Sequence, residues 1–345
     1  MSSRKTQSAN EAQWQAETDR RRRITMVMLF VFSAFLLIAF AGWFWMTQPL
    51  FIRESSSGAQ LVEPAQLQQH VNKLSQELGP RDEGHIENLD RVAAYIKEEF
   101  QKTNARVSEQ PYRVEGKSYR NVIAQFGPTT GRRIVIGAHY DTAGPLPGAD
   151  DNASGVAGLL ELARLLGKQP PAVLVELVAF TLEEPPYFRT TGMGSSVHAK
   201  SLRDQQVEVI AMISLEMIGY FSDSEGSQHF PSAILQAFYP SRGDFISVVG
   251  RVGDGLITRR IKAAMLQTAS LKVYSINAPA FIPGIDFSDQ LNYWQAGYRA
   301  VMVTDTAFYR NLNYHTANDT ADKLDYKRMA LVVEGVYAAV VALSQ

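Results

Sequence analysis

Short apolar runs alternate with segments of helical periodicity from residue 63 to the end of the chain. Strand-like runs occupy residues 105–114, 119–127, 132–138, 173–182, 207–215 and 298–306. Apolar residues at helical spacing occupy residues 65–78, 88–100, 154–166, 194–204, 253–269 and 327–344. Strands that alternate with helices predict an α/β domain, with a largely parallel central sheet flanked by helices.

Two stretches predict irregular structure. Residues 47–62 are mostly polar around three consecutive serines and are typical of a linker. Residues 220–250 are rich in glycine, serine and proline and predict an elaborated loop region.

A different pattern precedes the linker. Residues 24–46 contain no charged side chain in 23 positions, and about 20 apolar residues cross a bilayer as a helix. Trp43 and Trp45 lie near the far end, where aromatic residues meet the membrane surface. The four arginines at 20–23 predict a cytoplasmic N-terminus. The body of the protein is then expected on the outer side, in a periplasm or outside the cell.

A cleaved signal peptide is the alternative, because Ala39-Phe40-Ala41 resembles a cleavage site. The apolar run is long for a signal peptide and continues past that site, which favours a retained anchor. Residues 1–19 are polar, lack a helical stripe and predict a short disordered tail. Four segments follow: a cytoplasmic tail, the anchor, the linker and one globular domain. Their predicted bounds are 1–23, 24–46, 47–62 and 63–345.

Composition narrows the chemistry. The 345-residue chain has no cysteine, which excludes disulfides, thiolate metal ligands and a cysteine nucleophile. Any metal must therefore be held by histidine and carboxylate side chains. The formal net charge of −1 gives no indication of a nucleic-acid partner.

Ionisable side chains follow four of the predicted strands. They are His139 after the strand at 132–138, Glu183 and Glu184 after 173–182, Glu216 after 207–215, and His315 in the loop after 298–306. Ligands of open α/β sheets bind at the carboxyl ends of the strands. We therefore expect these side chains to meet.

The pattern around these residues favours a divalent metal. Asp150 and Asp151 are adjacent, as are Glu183 and Glu184, and neighbouring carboxylates repel one another unless a cation relieves them. Asp141 follows His139 by two residues and is placed to hold the second nitrogen of the imidazole. The candidate ligands comprise two imidazoles and three carboxylates: His139, Asp151, Glu184, Glu216 and His315. Two zinc ions that share a bridging carboxylate accept this set and leave a position for water. Glu183 is then the unligated carboxylate that moves protons.

Five motifs in this order carry a family resemblance. They are AHYDT (138–142), GADDNASG (148–155), LEEP (182–185), LEMIG (215–219) and YHTANDT (314–320). Together they resemble the zinc exopeptidases of clan MH, the family of bacterial secreted leucyl aminopeptidases. The resemblance runs from about residue 62 to the C-terminus and leaves the first 60 residues outside.

The resemblance implies a role for each site residue. Asp151 would bridge two zinc ions, one also held by Glu184 and His315 and the other by His139 and Glu216. Glu183 matches the general base, Asp141 the residue that orients the first histidine, and Tyr314 a tyrosine that polarises the substrate carbonyl. The family pattern also implies a cis peptide bond after Asp151.

Two departures from the family stand out. Glu216 occupies a position where many members have aspartate, although the carboxylate is kept. PPYFRTTGMGS (185–195) replaces a shorter glycine-rich turn beside the site. The substrate preference of better-known members therefore does not carry over.

The sequence predicts a membrane-anchored zinc aminopeptidase that hydrolyses N-terminal residues from peptides. The predicted partners are peptides and a lipid bilayer, with no nucleic acid. One alternative is a glutaminyl cyclase-like aminoacyltransferase with a single zinc, and another is a carboxypeptidase that uses the same site. A non-catalytic binding domain is disfavoured, since such relatives lose ligands and this chain keeps all five candidates.

Overall fold

The computed structural model describes residues 2–50, 60–267 and 271–345. By their internal contacts these residues form two units, one up to Thr47 and the other from Gln48 to Gln345. The predicted linker at 47–62 falls largely on residues 51–59, and the predicted helix at 253–269 ends on 268–269. Both of these parts lie outside the described residues.

The first unit is a single α-helix, α1 (Ser2–Thr47). Its part from Gln13 to Thr47 is long and apolar enough to cross a membrane, a property that signal sequences share. The prediction of a disordered tail over residues 1–19 is wrong for the described part, because α1 runs through it. That segment contains neither glycine nor proline and is rich in alanine, glutamine and glutamate, which are good helix formers.

The second unit is built on one eight-stranded sheet of order β1-β2-β4-β3-β5-β8-β6-β7. The strands are β1 (Arg106–Val114), β2 (Lys117–Phe126), β3 (Arg133–His139), β4 (Leu174–Phe180), β5 (Val209–Glu216), β6 (Phe245–Arg251), β7 (Lys272–Ala278) and β8 (Ala300–Thr304). The four central strands are parallel, whereas β1 with β2, β2 with β4, and β6 with β8 are antiparallel. The predicted α/β fold with a largely parallel sheet is confirmed.

Helices cover both faces of the sheet. They are α2 (Pro64–Asn72), which continues as a π-helical turn over Lys73–Glu77, α3 (Ile86–Gln101), α4 (Gly155–Lys168), α5 (Gly194–Asp204), α6 (Ala233–Phe238), α7 (Gly255–Leu266), α8 (Gln290–Gln295) and α9 (Tyr326–Leu343). One apolar core joins one sheet face, including Ile134 and Ile136, to α2, α3, α4, α7 and α9. A smaller core joins the other face, including Val135, to α5 and α8. Successive residues of β3 thus point into different cores, which is why the predicted strands are apolar throughout.

The region at 220–250 differs from its prediction as a loop, because it contains α6 and β6. The sequence patterns also missed β7 and α8. Helices α6 and α8 have only six residues each, too few for a helical period to be recognised in the sequence. The strand β7 lies at the edge of the sheet and alternates exposed with buried residues, so it lacks the apolar run of the central strands.

The centre of the sheet gives a test of packing. A Cβ on Gly137, in β3, would lie 2.1 Å from Cε2 of Phe180, whose ring packs against His198 and Tyr293. We expect Gly137→Ala to lower the free energy of unfolding by about 1–3 kcal/mol, because the buried ring must move. Urea unfolding of the full chain in detergent measures this change.

Gly253→Ala is the matched control, since a Cβ there meets no heavy atom of the described residues within 4 Å. Equal stability of the two variants would contradict the packing account.

Candidate metal centre

All five predicted ligands lie at one edge of the sheet, at the carboxyl ends of the parallel strands. His139 and Glu216 are the last residues of β3 and β5. Glu184 follows β4 after a short turn, and His315 lies in the loop that follows β8. Asp151 belongs to the helical turn that leads into α4. Strand ends and one helix start therefore bring together residues that are up to 176 positions apart in sequence, His139 and His315 being the outermost.

Asp151 stands between the two histidines. Its Oδ1 lies 3.4 Å from Nε2 of His139, and its Oδ2 lies 3.1 Å from Nε2 of His315. Glu216 Oε2 is 3.3 Å from His139 Nε2, and Glu184 Oε1 is 3.2 Å from His315 Nε2. Two of the three-residue groups that could hold a metal thus share one carboxylate, that of Asp151.

These groups fit divalent metal ions. Nε2 of His139 and Oδ1 of Asp151 are buried and have no hydrogen-bond partner among the described residues, although they point at each other. Two ligand atoms of a tetrahedral zinc, each ~2.0–2.1 Å from the ion, are about 3.3 Å apart. The separations of 3.1–3.4 Å between the imidazole and carboxylate atoms match this spacing. Imidazole nitrogens and carboxylate oxygens are also the donor types that zinc accepts.

Without a metal, the charges at the centre favour bound protons. Burial lowers the pKa of His139, but the charges of Glu216 and Glu183 outweigh it and hold that pKa well above its ordinary value. Burial also opposes protonation of His315, yet hydrogen bonds to Asp151 and Glu184 raise its pKa to about 10. Burial, followed by the charge of Asp151, raises the pKa of Glu184 to about 8. A metal ion that binds here must displace protons.

Glu183 is buried at the same place but stands apart from the shared pairs. Its Oε2 is 3.9 Å from Nε2 of His139, beyond hydrogen-bond distance. Burial raises its pKa well above the ordinary value, the charge of His139 lowers it, and the charges of Glu184 and Glu216 raise it further. A third grouping that could hold a metal combines His139, Glu183 and Glu184.

Asp141 supports the centre in two ways. Its backbone oxygen is hydrogen-bonded to Nδ1 of His139 at 3.2 Å, while its carboxylate Oδ1 is 3.6 Å from the same nitrogen. The two carboxylate oxygens accept hydrogen bonds from the backbone N–H groups of Glu183 and Glu184, at 3.1 and 3.0 Å. One aspartate therefore fixes both the histidine and the adjacent glutamates.

Asp319 performs a similar task for the bridging aspartate. Its two carboxylate oxygens accept hydrogen bonds from the backbone N–H groups of Asp150 and Asp151, each at 3.0 Å. Burial, with the charge of Asp150, raises the pKa of Asp319 to about 7. The sequence reading assigned no role to Asp319, although it is the aspartate of the YHTANDT motif.

The peptide bond between Asp151 and Asn152 is cis, as the family resemblance implies. The Asn152 amide donates to the backbone oxygen of Leu215 at 2.8 Å, and its oxygen accepts from the N–H groups of Gly155 and Met217. Asn152 therefore links the bridging aspartate to the strand end that bears Glu216.

Arg81 is a fully buried residue that sequence reasoning missed. Its guanidinium donates to four backbone carbonyls, those of Leu74, Tyr140, Pro147 and Gly148, at 2.8–2.9 Å. Three of its carbonyl partners, those of Tyr140, Pro147 and Gly148, lie in the loop between His139 and Asp151. Burial lowers the pKa of Arg81 to about 10, while the nearby Asp319 raises it. No short sequence motif predicts this role of Arg81, because the four groups that its guanidinium contacts are backbone carbonyls.

Three residues at the centre have left-handed backbone conformations. Leu182, just before the glutamate pair, has φ of 62°, Met217, just after Glu216, has 49°, and His315 has 54°. Such angles are uncommon for residues other than glycine and concentrate at functional sites, where the surroundings hold them in place.

Tyr314 and two neighbouring cavities complete the site. The Tyr314 ring stacks on His315, with centroids 3.8 Å apart, and burial raises the pKa of its hydroxyl well above the ordinary value. A cleft of about 190 Å³ holds four of the candidate ligands with Glu183 and Tyr314. An adjoining cavity of about 90 Å³ has an almost wholly apolar lining, and it shares Glu216 and Phe287 with the cleft.

The protonated histidines give a test of metal binding. We expect zinc to release about two or three protons near pH 7, because His139, His315 and Glu184 have raised pKa values in the metal-free protein and zinc ligands must be deprotonated. Protons therefore compete with zinc, and the apparent affinity for zinc should increase as the pH rises. Calorimetry in buffers of different ionisation enthalpy counts the protons.

His85→Gln is the control, because His85 is hydrogen-bonded to Asp82 and belongs to none of the groups that could hold a metal. Zinc binding that released no protons would contradict the electrostatics described here.

The sequence-family comparison places most of the second unit in one family. The sequence pattern of peptidase family M28 matches residues 121–340, well over half of the chain. The chain is 50% identical over 318 residues to the uncharacterized protein YfbL of Escherichia coli (strain K12), covering 90% of this chain and 95% of that protein. It is 26% identical over 293 residues to leucine aminopeptidase 1 of Metarhizium robertsii (strain ARSEF 23 / ATCC MYA-3075), covering 80% of this chain and 68% of that protein.

Solved structures show the same fold. BSAP, a zinc aminopeptidase from Bacillus subtilis, superposes with a TM-score of 0.64 at 15% identity, covering 81% of this chain and 94% of BSAP. A glutaminyl cyclase from Bacteroides thetaiotaomicron superposes with a TM-score of 0.59 at 18% identity, covering 81% of this chain and 97% of the cyclase. With the ordered motifs, the zinc-compatible donor set and these comparisons, the chain belongs to peptidase family M28.

Proposed function

We propose that this protein is a zinc-dependent aminopeptidase with two metal ions per chain. The observation that carries the proposal is Asp151, whose two carboxylate oxygens face two histidines that each have a second carboxylate beside them. His139 and Glu216 would hold one ion, His315 and Glu184 the other, and Asp151 both. When bound there, zinc would supply Lewis-acid activation of a water and of the substrate carbonyl.

Glu183 is the general base in this proposal. Its carboxylate lies in the cleft beside the ligands but outside their paired contacts, so it remains available for proton transfer. Burial already raises its pKa, which suits a group that accepts a proton from water and passes it to the leaving amine. Asp141 orients this base through the Glu183 backbone N–H.

Tyr314 would stabilise the oxyanion. Its hydroxyl is kept protonated by burial and lies in the cleft with His315. A phenol held in this state donates a hydrogen bond to the negative charge that develops on the carbonyl oxygen. The stacking on His315 fixes the direction of the ring.

The cleft favours a free N-terminus over a free C-terminus next to the scissile bond. Four carboxylates line it, those of Asp151, Glu183, Glu184 and Glu216. Glu183, the carboxylate left unligated in this proposal, attracts an α-ammonium group and repels a terminal carboxylate at the same position. This supports an aminopeptidase over a carboxypeptidase on the same centre.

Glutaminyl cyclase activity is the second candidate, since a cyclase shares the fold. The sequence-based expectation for a cyclase is a single zinc, whereas two groups of candidate ligands converge here. Zinc content per chain and a panel of aminoacyl, carboxypeptidase and N-terminal glutaminyl substrates, each with and without chelator, separate the three activities.

We also propose that the adjoining apolar cavity receives the side chain of the N-terminal residue. The cavity meets the cleft at Glu216 and Phe287, within reach of a residue whose α-amine lies among the carboxylates. An apolar lining favours apolar side chains by about 0.8 kcal/mol for each buried methylene. Hydrophobic N-terminal residues are therefore the proposed substrates.

The proposed arrangement of the chain is a cytoplasmic tail at 1–23, a membrane anchor at 24–46, a linker at 47–62 and the catalytic domain at 63–345. The long apolar part of α1 supports the anchor, and the four arginines at 20–23 support a cytoplasmic N-terminus. The catalytic domain would then work on the periplasmic or extracellular side, on peptides that reach that surface.

Removal of the base tests the mechanism. We expect Glu183→Gln to lower kcat by about 10²–10⁴-fold, because general base catalysis contributes that much. Hydrolysis of leucine p-nitroanilide by the zinc-loaded protein in detergent measures the effect. Zinc content is measured on the same samples, so loss of the base is separated from loss of metal.

Glu98→Gln, on the exposed face of α3, is the control for removing a carboxylate. Near-full activity of a zinc-loaded Glu183→Gln protein would refute the assignment of the base.

Two adjacent residues of α6 test the apolar cavity. Leu235 lines the cavity, whereas its neighbour Ile234 is exposed and outside the lining. We expect Leu235→Trp to lower kcat/KM for leucine substrates about 10-fold relative to alanine substrates, since the larger ring occupies cavity space. Ile234→Trp should leave that ratio unchanged. The same ratio in both variants would show that the side chain binds elsewhere.

A further inference from the structure

The segment at 185–195, which replaces a shorter turn of the family, places an arginine beside the aromatic wall of the cleft. Arg189 has a left-handed backbone, with φ of 62°, an angle that costs a non-glycine residue about 1 kcal/mol or more. Its backbone N–H points at Sδ of Met193 at 3.1 Å, which closes the turn on itself. The local fold therefore holds Arg189 in one direction.

The Arg189 side chain is held as firmly as its backbone. Its guanidinium carbon lies 5.3 Å from the ring centre of Phe188 and 5.2 Å from that of Phe287. Its Nη2 donates to Oδ1 of Asp286 at 2.6 Å. Two rings and one carboxylate thus fix the position of the cation. Because the side chain is already ordered in the folded protein, a ligand that binds it loses little affinity to the ordering of this side chain.

The two rings that hold Arg189 are also walls of the metal cleft. Phe188 and Phe287 line it together with Glu183, Glu184 and the other candidate ligands. The guanidinium therefore lies 5.2–5.3 Å from the centres of two rings that wall the proposed catalytic site. A peptide residue spans at most about 3.3–3.6 Å, so these rings separate the cleft from the guanidinium by about two residues of extended chain.

Part of the guanidinium remains available. Among the described residues only Nη2 has a side-chain partner, and 47% of the Arg189 side chain is exposed. Nε and Nη1 are donors of the planar guanidinium fork, but they point along different edges of it, so each can give a carboxylate one hydrogen bond. Asp286 cancels much of the long-range charge, so recognition here depends on these directed N–H groups more than on steering.

We propose that Arg189 binds the C-terminal carboxylate of a short peptide whose first peptide bond lies at the metal centre. The inference rests on the proposed aminopeptidase function and narrows its substrates to peptides of two or three residues with a hydrophobic first residue. The N-terminal amine lies among the cleft carboxylates and the C-terminal carboxylate at Arg189. The segment at 185–195 thereby restricts the length of the peptides that bind.

Three substrates distinguish the sources of a carboxylate. Leu-Ala has a free C-terminus, Leu-Ala-amide has none, and Leu-Glu-amide carries its carboxylate on a side chain. We expect the full-length zinc-loaded protein in detergent to favour Leu-Ala over Leu-Ala-amide about 10-fold in kcat/KM, equal to about 1.4 kcal/mol. In Arg189→Gln the ratio should fall to about one, and Arg189→Lys should retain part of it, as a point charge without the planar fork.

Arg242→Gln is the matched control. Arg242 is also a half-exposed arginine paired with one carboxylate, Glu225, at 2.7 Å, and it lies outside the cleft lining. Its substitution should leave the ratio of the two substrates unchanged. An equal wild-type rate on Leu-Ala and its amide, or a ratio that survives in Arg189→Gln, would overturn the proposal. A preference for Leu-Glu-amide that depends on Arg189 would also overturn it, because the carboxylate would then come from a side chain.

Binding measured without turnover separates this inference from the proposed function. Calorimetry on the zinc-loaded Glu183→Gln protein, with and without Arg189→Gln, compares the Kd values of Leu-Ala and Leu-Ala-amide. We expect about 10-fold tighter binding of Leu-Ala only when Arg189 is present. If the wild-type protein hydrolyses none of the three substrates, the aminopeptidase proposal fails, while this Kd ratio still decides the role of Arg189.

Discussion

The carboxylates gathered at one edge of the sheet repel one another, and this repulsion is the constraint on which the rest of the site depends. Asp151, Glu183, Glu184 and Glu216 are all buried, so water screens their charges little. Two histidines lie between them, each with its Nε2 within 3.4 Å of two of these carboxylates. Cations relieve this arrangement best, whether as protons on the histidines or as metal ions that replace them.

A repelling cluster keeps its shape only if the backbone beneath it is rigid. Asp141 holds the backbone of the glutamate pair, Asp319 that of the bridging aspartate, and Arg81 the loop that joins His139 to Asp151. Each of these buried side chains bonds to backbone atoms rather than to the ligands' own side chains. The ligand atoms are thereby left free for metal, while the chain that carries them is fixed, as pre-organised sites require.

The parts that face the substrate are built differently. The segment at 185–195 is mostly loop, and the apolar cavity combines loops and the short helix α6 with residues of β6, β7 and β8. Loops tolerate change with little effect on the core. A family can therefore keep its metal centre while the length and shape of its substrates change, and Arg189 stands where this chain departs from the common pattern.

The amino-acid pattern by itself predicted the α/β class and the central strands, because buried parallel strands need apolar runs, and it singled out candidate site residues at their carboxyl ends, where ligands of such sheets bind. It missed β7, α8 and the elements inside 220–250, which are short or at the edge and depend on tertiary packing. It also missed Arg81 and the task of Asp319, most of whose partners are backbone atoms distant in sequence. Only the tertiary structure could place Asp151 between two histidines, since each distance there joins separate elements of the fold.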